Sequence, residues 1–433
     1  MAANSGLFYG LKKMATDVDV QYFSHLNGLV LGNNWGDLIR LLDTCLVNGL
    51  PLTSITSASI DAQGDITLNL YAAHECMLFQ IVELTGFTPG ELNGKYRIKG
   101  TPTATQLILK AIHIGKTITA VGTAKLASLG YDIIFRDTND VKRVYRAKNP
   151  SSKHPFIRVD ETTSDGVNKY SENFAKYAMV GLIENMTHID DYEDTSKLQL
   201  PLNISDFKNN WKITGTGTSV VRGWARWHWA RGADVYSNPP DSTAPPSGNR
   251  YFTLSGDSNA FYLLTNELPS NSSSRKVLYG CGLFNGALAD NVIPNWFLMS
   301  CLSTLNAGAS YAKRVTQYAT PLLTSEISSR FIIPNYSITI LNSASANPIL
   351  PKYTSGFNGG FNANQIPALE IPFYDHLGYL RGSLHHIFYS GNNSMPTITT
   401  PYISDASLYV SDSAGSELGG GVGGFYFYLG EIE

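Results

Sequence analysis

The sequence is poor in charged residues and lacks a long apolar run. Charged residues make up 15% of the chain, whereas about 25% is usual for soluble domains. The net charge is −3, and the densest basic patch is the short segment 142–148, so a general attraction to nucleic acid is not expected. No apolar stretch approaches the ~18 residues of a membrane-spanning helix, and residues 1–10 lack the pattern of a secretory signal.

Uncharged polar residues, glycine and proline replace the missing charge, because the hydrophobic fraction of 43% is ordinary. This balance is typical of all-β proteins with many turns. It also suits a protein whose surface is covered by neighbours, since charge is depleted at the centre of interfaces. The length of 433 residues favours two or three domains.

Cysteine is scarce and shows no pairing pattern. Cys45, Cys76, Cys281 and Cys301 are far apart and form no C-x-x-C pair. A free cysteine packs like a small apolar residue, so the sequence predicts buried thiols. Free thiols fit assembly in a reducing cytoplasm.

One amphipathic helix is predicted between residues 36 and 48. Its apolar residues repeat at helical spacing and form a single stripe, namely Leu38, Leu41, Leu42, Cys45 and Leu46. Gly49 supplies a left-handed stop and Pro51 blocks continuation of the helix. A second, short helix is predicted over residues 205–211.

From residue 52 onward the apolar period is that of strands. Ile66, Leu68 and Leu70 alternate with polar residues, as in a half-buried strand. Residues 172–184 fit both a helix and a strand, and Gly181 favours a strand. Further strands are predicted at residues 131–135, 141–146, 156–160, 224–229, 251–254, 260–264, 331–334 and 338–341. The predicted fold is mainly β, a multi-module β-sandwich or β-barrel protein with one or two short helices.

Four segments are predicted along the chain. They are an N-terminal docking arm (1–25), a small β-module with one helix (26–110), a second β-rich module (111–200) and a large β-sandwich-like domain (201–433). Whether residues 26–200 form one domain or two stays open. The glycine-rich segment 419–424 precedes an aromatic strand at 425–429, which is expected to close a sheet of this chain or of a neighbour.

Segments that resemble ligand sites do not meet the requirements of those sites. Residues 115–117 (GKT) end like a phosphate loop, but Lys110 stands where its first glycine belongs. The acidic residues around His188 lack the spacing of a calcium loop, which favours a solvated linker. His385 and His386 should point to opposite faces of a strand, which favours a core or interface pair. The basic segment 142–148 is interpreted as a solvated strand edge. We therefore predict no metal and no cofactor.

No catalytic arrangement can be assembled from the sequence. A glycosidase needs two carboxyl groups across a groove, and the sequence brings no two acids together among Asp234, Asp241, Asp257 and Glu267. A Ser/His/Asp triad is not indicated, because no G-x-S-x-G turn occurs. The protein is predicted not to be an enzyme.

The aromatic segment 222–229 (RGWARWHW) is a candidate for carbohydrate binding. Strand alternation places Trp227 and Trp229 on one face and Arg226 and His228 on the other. Exposed, the two indoles would stack on sugar rings. Buried, each would stabilise the core by about 3 kcal/mol or more, and we favour the buried state.

Several short motifs follow one another along the chain. The first four are residues 41–49 (LLDTCLVNG), 88–98 (TPGELNGKYRI), 126–131 (LASLGY) and 156–161 (FIRVDE). Later ones are 186–191 (MTHIDD), Trp224, 255–257 (SGD), 261–264 (FYLL), 279–285 (YGCGLFN) and 366–369 (IPAL). Their order and spacing resemble a family of structural proteins carried in the virions of tailed bacteriophages. Two motifs depart from the family pattern, at Asn285 and at Ala368.

The resemblance implies a structural role and transfers no catalytic residues. The expected function is a virion component of the tail, baseplate or fibre, present in repeated copies, with a head-surface or neck decoration protein as the alternative. A host-glycan-binding module that uses Trp227 and Trp229 is an alternative of another class. The expected partners are other virion proteins and copies of the chain, with a host-surface glycan as a further one. The expected location is the virion, after assembly in the host cytoplasm.

Overall fold

The computed structural model describes residues 17–162, 166–194, 196–202, 226–232, 243–271, 276–287, 293–300, 331–335, 343–349, 368–390, 395–404, 406–415 and 422–431. Strands dominate these ranges, and the predicted mainly-β fold is confirmed. The strands assemble into sheets of ten, seven, six and four strands.

The strands are numbered β1–β27 in chain order. The first thirteen are β1 Gln21–Ser24, β2 Leu50–Pro51, β3 Ile55–Ile60, β4 Ile66–Leu70, β5 Ile81–Thr85, β6 Gly94–Thr103, β7 Gln106–Leu109, β8 Thr123–Leu126, β9 Tyr131–Arg136, β10 Lys142–Ala147, β11 Phe156–Asp160, β12 Lys176–Ile183 and β13 Gln199–Leu200. The others are β14 Arg226–Ala230, β15 Phe252–Gly256, β16 Ala260–Asn266, β17 Lys276–Leu283, β18 Asn285–Gly286, β19 Trp296–Met299, β20 Phe331–Pro334, β21 Ser343–Pro348, β22 Pro372–Asp375, β23 Leu380–Ser383, β24 Ile387–Tyr389, β25 Thr400–Ser404, β26 Ser407–Gly415 and β27 Val422–Glu431. Short 3-10 helices occupy His25–Asn27, Gly90–Leu92 and Asp191–Glu193.

The predicted helix is present, but it changes type midway. The α-helix α1 covers Asp37–Leu42 and continues as a π-helix over Asp43–Asn48. The stripe that the sequence indicates is buried along both parts. Gly49 ends the helix at φ 74°, and a Cβ there would lie 2.3 Å from the carbonyl oxygen of Leu126. Only glycine can therefore end the helix here, because the backbone has a positive φ and lies too close to β8 for a side chain.

The first two sheets follow each other along the chain. The seven-stranded sheet has the order β2-β8-β5-β6-β7-β4-β3, and the six-stranded sheet has the order β13-β12-β11-β10-β9 with β14 also paired to β12. The strand β8 lies after the predicted boundary at residue 110 and pairs with β5. Likewise β14 lies after the boundary at residue 200 and pairs with β12. Both pairings depend on contacts that are distant in sequence.

The ten-stranded sheet begins with the end of the predicted N-terminal arm. Its order is β1-β15-β16-β17-β19-β20-β21-β22-β23-β18. In β1, Gln21 faces Gly256 and Ser24 faces Thr253. Gln21 also donates from Nε2 to the carbonyl oxygens of Ile81 and Ala127 at 2.9 and 3.0 Å. Residues 21–24 therefore belong to the chain's own fold rather than to an arm, and residues 1–16 lie outside the described ranges.

The aromatic C-terminal strand pairs within a sheet of its own chain. The order of the four-stranded sheet is β24-β27-β26-β25, and β27 lies at its centre. Phe425, Phe427 and Leu429 are buried. We therefore expect deletion of this segment to unfold the four-stranded sheet, because β24 and β26 would lose their shared neighbour and apolar core would be exposed.

The ten-stranded sheet separates two apolar cores. On β16, Phe261 and Leu263 face the core shared with α1 and the seven- and six-stranded sheets, whereas Tyr262 and Leu264 face the core shared with the four-stranded sheet. Alternation along one strand thus serves both cores. A strand buried on both faces reads as a continuous apolar run, as the letters 260–264 do.

Most predicted strands lie within two residues of an observed one. The ambiguous segment 172–184 contains the strand β12, and the apolar run 76–84 becomes a strand only from Ile81. The predicted helix at 205–211 and the predicted strand at 338–341 lie outside the described residues. Cys45 and Cys281 are buried free thiols and Cys76 is half-buried, whereas Cys301 is not among the described residues.

Candidate functional site

The tryptophan strand β14 lies deep in the protein. Trp227 and Trp229 are each 1% exposed and both face the larger core. Trp227 donates from Nε1 to the carbonyl oxygen of Met299 at 2.9 Å and stacks on Tyr279 with ring centroids 5.4 Å apart. Trp229 meets Trp35 edge to face at 6.0 Å. The strand thus ties β19, β17 and the segment before α1 together.

This burial removes the geometric basis for sugar binding at the two indoles. Stacking on a sugar needs an open ring face, and neither ring offers one in this structure. The opposite face of β14 is buried as well, since His228 packs on Tyr177 at 5.1 Å and the Arg226 guanidinium lies 5.2 Å from the same ring. The favoured interpretation of these side chains as core is confirmed by their position.

The basic segment 142–148 is not a solvated edge. Its strand β10 lies between β9 and β11, and the Lys142 and Arg143 side chains are 8% and 1% exposed. Arg143 donates from Nε and from one Nη to Asp43 Oδ2 at 3.2 and 3.1 Å, and the Tyr145 hydroxyl donates to Asp43 Oδ1 at 2.7 Å. The Arg143 charge therefore fastens the π-helix to the six-stranded sheet.

The acidic segment that follows His188 is occupied by internal partners. Asp190 Oδ1 accepts from Arg158 at 2.8 Å and from Lys142 at 3.2 Å. Asp191 accepts backbone N–H groups from Thr187 and His188, which hold the pKa of its carboxyl at about 2 although burial raises it. The segment is a folded turn fixed by ion pairs rather than a solvated linker. Among the described residues, no group of three or more His, Cys, Asp or Glu side chains could hold a metal ion.

The adjacent histidines lie beside one of the buried acids. Both histidines lie in a bend between β23 and β24, where His386 has φ 56° and its ring centroid lies 5.1 Å from that of His385. The expectation that the two rings point to opposite faces of a strand is therefore wrong. His386 Nε2 lies 3.2 Å from Asp257 Oδ2. Burial raises the pKa of Asp257, but His386, a backbone N–H and the Asn259 amide lower it to about 2.

The remaining candidates for chemistry are separated. Lys116 of the GKT segment forms an exposed ion pair with Glu91 at 2.8 Å. Asp257 and Glu267 are both buried, whereas Asp234 and Asp241 lie outside the described residues. Within the described ranges, no helix has the length and apolar character needed to span a bilayer.

Two features were not recognised in the sequence. The hairpin β22–β23 exposes large apolar side chains around its turn, with Leu377, Tyr379 and Leu380 at 62, 55 and 52% exposure. Its turn is held by Asp375 Oδ1, which accepts from the N–H groups of Leu377 and Tyr379 at 2.9 and 3.1 Å. The second feature is a buried contact between Lys276 and Asp412. No sequence signal joins residues that are so far apart.

Comparisons with known proteins do not identify a family. No family model and no curated protein matches the chain. A solved structure titled "Phage phi92 endosialidase" aligns with a TM-score of 0.14 and 8% identity, over 88% of this chain and 52% of that chain. The chain thus spans about half the length of that structure. A likeness at this TM-score supports no inference about fold or function.

Proposed function

We propose that the protein is a structural component of a tailed-bacteriophage virion, associated with the tail, baseplate or fibre, that acts through repeated protein–protein contacts. The observation that carries the proposal is the order of the family-like motifs, which coincide with positions that hold the fold. Leu41, Leu42 and Leu46 of the first motif are core residues, and Ile157 and Val159 of the fourth belong to the same core. Motifs whose residues build the core specify shape, and shape is what a structural role requires.

The surface supports the same proposal. Charge is sparse along the whole chain, and the hairpin β22–β23 exposes Leu377, Tyr379 and Leu380 on one turn. Interface centres are depleted in charge and enriched in aromatic and apolar side chains. Because Asp375 fixes the turn, these side chains are presented without a large loss of backbone freedom on binding. The proposal assigns this turn to a contact with a neighbouring subunit of the particle.

The test begins with purified particles. The protein should be found by mass spectrometry in gradient-purified virions, in a number of copies that matches a rotational symmetry of the tail. Cryo-electron microscopy of those virions then gives its place. Density on capsid lattice points would replace the tail position with head decoration, and absence of the protein from purified virions would refute the virion role.

A surface variant tests the contact itself. Leu377→Asp should leave the melting temperature of the isolated protein unchanged, because the side chain is 62% exposed, and should reduce incorporation when supplied to infected cells. Asn139→Asp is the matched control, since it adds the same charge to an exposed polar turn. Normal incorporation of the Leu377 variant would show that the hairpin is not part of the interface. The virion role would then be decided by the mass spectrometry of purified particles alone.

A further inference from the structure

Lys276 and Asp412 meet between two sheets and away from water. Lys276 opens β17 of the ten-stranded sheet, and Asp412 lies in β26 of the four-stranded sheet. The lysine Nζ contacts Oδ1 of the aspartate, and the two side chains are 0% and 2% exposed. By contrast, Lys99 bonds Asp65 at 2.6 Å with its own side chain 51% exposed. The pair at Lys276 is thus closed to solvent from both sides.

Both groups have further hydrogen-bond partners. The Lys276 Nζ donates to the carbonyl oxygen of Thr397 at 2.7 Å. The Thr253 hydroxyl donates to Asp412 Oδ2 at 2.8 Å and also contacts the hydroxyl of Thr399. The oxygen that faces the amine is therefore Oδ1, while Oδ2 is held by a hydroxyl on the other side.

Burial of this kind removes water from both charged groups. A charged amine and a charged carboxylate lose hydration when they are enclosed, and transfer of one proton from Nζ to Oδ1 removes both charges. Burial raises the pKa of Asp412, and the opposing influence of Lys276 and Thr253 does not cancel that rise. A neutral amine is a nucleophile, and a protonated carboxyl is its electrophile.

We propose that Lys276 and Asp412 become joined by an intramolecular isopeptide bond. The lone pair of Nζ attacks Cγ of Asp412 and forms the N–C bond. The Cγ–Oδ1 bond then breaks, and Oδ1 leaves as water with the proton of the acid and one proton of the amine. The condensation balances without an oxidant, a reductant or a cofactor.

The surroundings already fit the product. An amide has one N–H donor and one carbonyl acceptor. The N–H retains the carbonyl oxygen of Thr397 as its acceptor, and the remaining oxygen, Oδ2, retains the Thr253 hydroxyl as its donor. A buried ion pair is thereby replaced by a neutral group with both hydrogen bonds made. The bond would staple the four-stranded sheet to the ten-stranded sheet, since its ends lie on β17 and β26.

The mass of the purified full chain tests the proposal. Measured after denaturation, the protein should be lighter than its sequence by one water molecule. Trypsin should leave Lys276 uncut and release residues 276–313 joined to residues 382–433, because no lysine or arginine interrupts either stretch. A full sequence mass after prolonged incubation of the folded protein would overturn the proposal. A water lost elsewhere, such as in a succinimide, would overturn it as well.

Variants locate the bond. Lys276→Arg and Asp412→Ala should each have the full mass of their own sequence, whereas Lys99→Arg, at the solvent-open pair, should keep the deficit of one water. If a variant at the buried site does not fold, the branched peptide of the unaltered protein still decides the matter, because it does not depend on any substitution. A deficit that persists in folded Lys276→Arg would refute the assignment.

Discussion

Replacing Trp227 by alanine should destabilise the protein strongly. The side chain is 1% exposed, stacks on Tyr279 and donates to the carbonyl oxygen of Met299 at 2.9 Å. Removal of a buried tryptophan side chain costs about 3–5 kcal/mol through lost burial and the cavity left behind. A buried carbonyl that loses its donor contributes about 1–3 kcal/mol of destabilisation when nothing replaces it. The two effects overlap, so we expect a loss of about 4 kcal/mol in the free energy of unfolding.

Urea unfolding followed by far-ultraviolet circular dichroism measures this loss. Trp227→Phe keeps a six-membered aromatic ring but removes the N–H donor and the rest of the indole, so it should lose about 2–3 kcal/mol, less than the alanine variant. Tyr71→Ala is the control, since that ring is 78% exposed and its removal should change stability by less than about 0.5 kcal/mol. An unchanged unfolding midpoint for Trp227→Ala would refute the placement of β14 in the core. Its indoles would then again be candidates for ligand binding.

Two further predictions concern buried carboxyl groups. Burial raises the pKa of Glu161 to about 8, although Gly36 N–H donates to its Oε2 at 2.7 Å; the folded state thus keeps a proton that the unfolded state releases near pH ~4.3. Unfolding should therefore become easier as pH rises from about 4.3 to about 8, by up to about 1.4 kcal/mol per pH unit. Glu161→Gln should flatten that slope in melts across the range, and an identical slope in the variant would contradict the assignment. Asp43→Ala should lower stability by about 2 kcal/mol, because the buried Arg143 loses one of its two carboxylate partners and keeps only Asp140. Asp19→Ala, which removes an exposed carboxylate, should cost far less in the same urea titration, and equal losses would show that the pair contributes little.

Local pattern was sufficient for single elements of this fold. The stripe from Leu38 to Leu46 predicts a helix, and Gly49 and Pro51 predict its end, because these signals act within a few residues. The change of α1 into a π-helix at Asp43 was not predictable from the stripe. Asp43 is engaged there by Arg143 and Tyr145 of a strand far along the chain. The spacing of neighbouring residues cannot predict partners that lie so far away in the sequence.

The candidate sites show the same division. The letters RWHW predict an alternating strand, which is what β14 is, but burial on both faces depends on which sheets enclose it. The acidic residues after His188 and the basic residues of β10 each looked like solvated charge. Residues of the two segments form ion pairs with each other. Lys142 of the basic segment contacts Asp190 of the acidic segment, although the two are far apart in sequence. In these two segments, charge in the sequence therefore indicates ion pairing rather than exposure.

By itself, the sequence determined the class of the fold, the position of most strands, the place where the helix stops and the reliance of the core on aromatic side chains. These features follow from periodicity and backbone preference, which are properties of neighbouring residues. Only the tertiary structure decided that residues 21–24 join the ten-stranded sheet, that β27 pairs within a sheet of its own chain and that Lys276 reaches Asp412. Such pairings are set by the joint burial of surfaces from remote segments, and no short stretch of the chain contains both halves of that interaction.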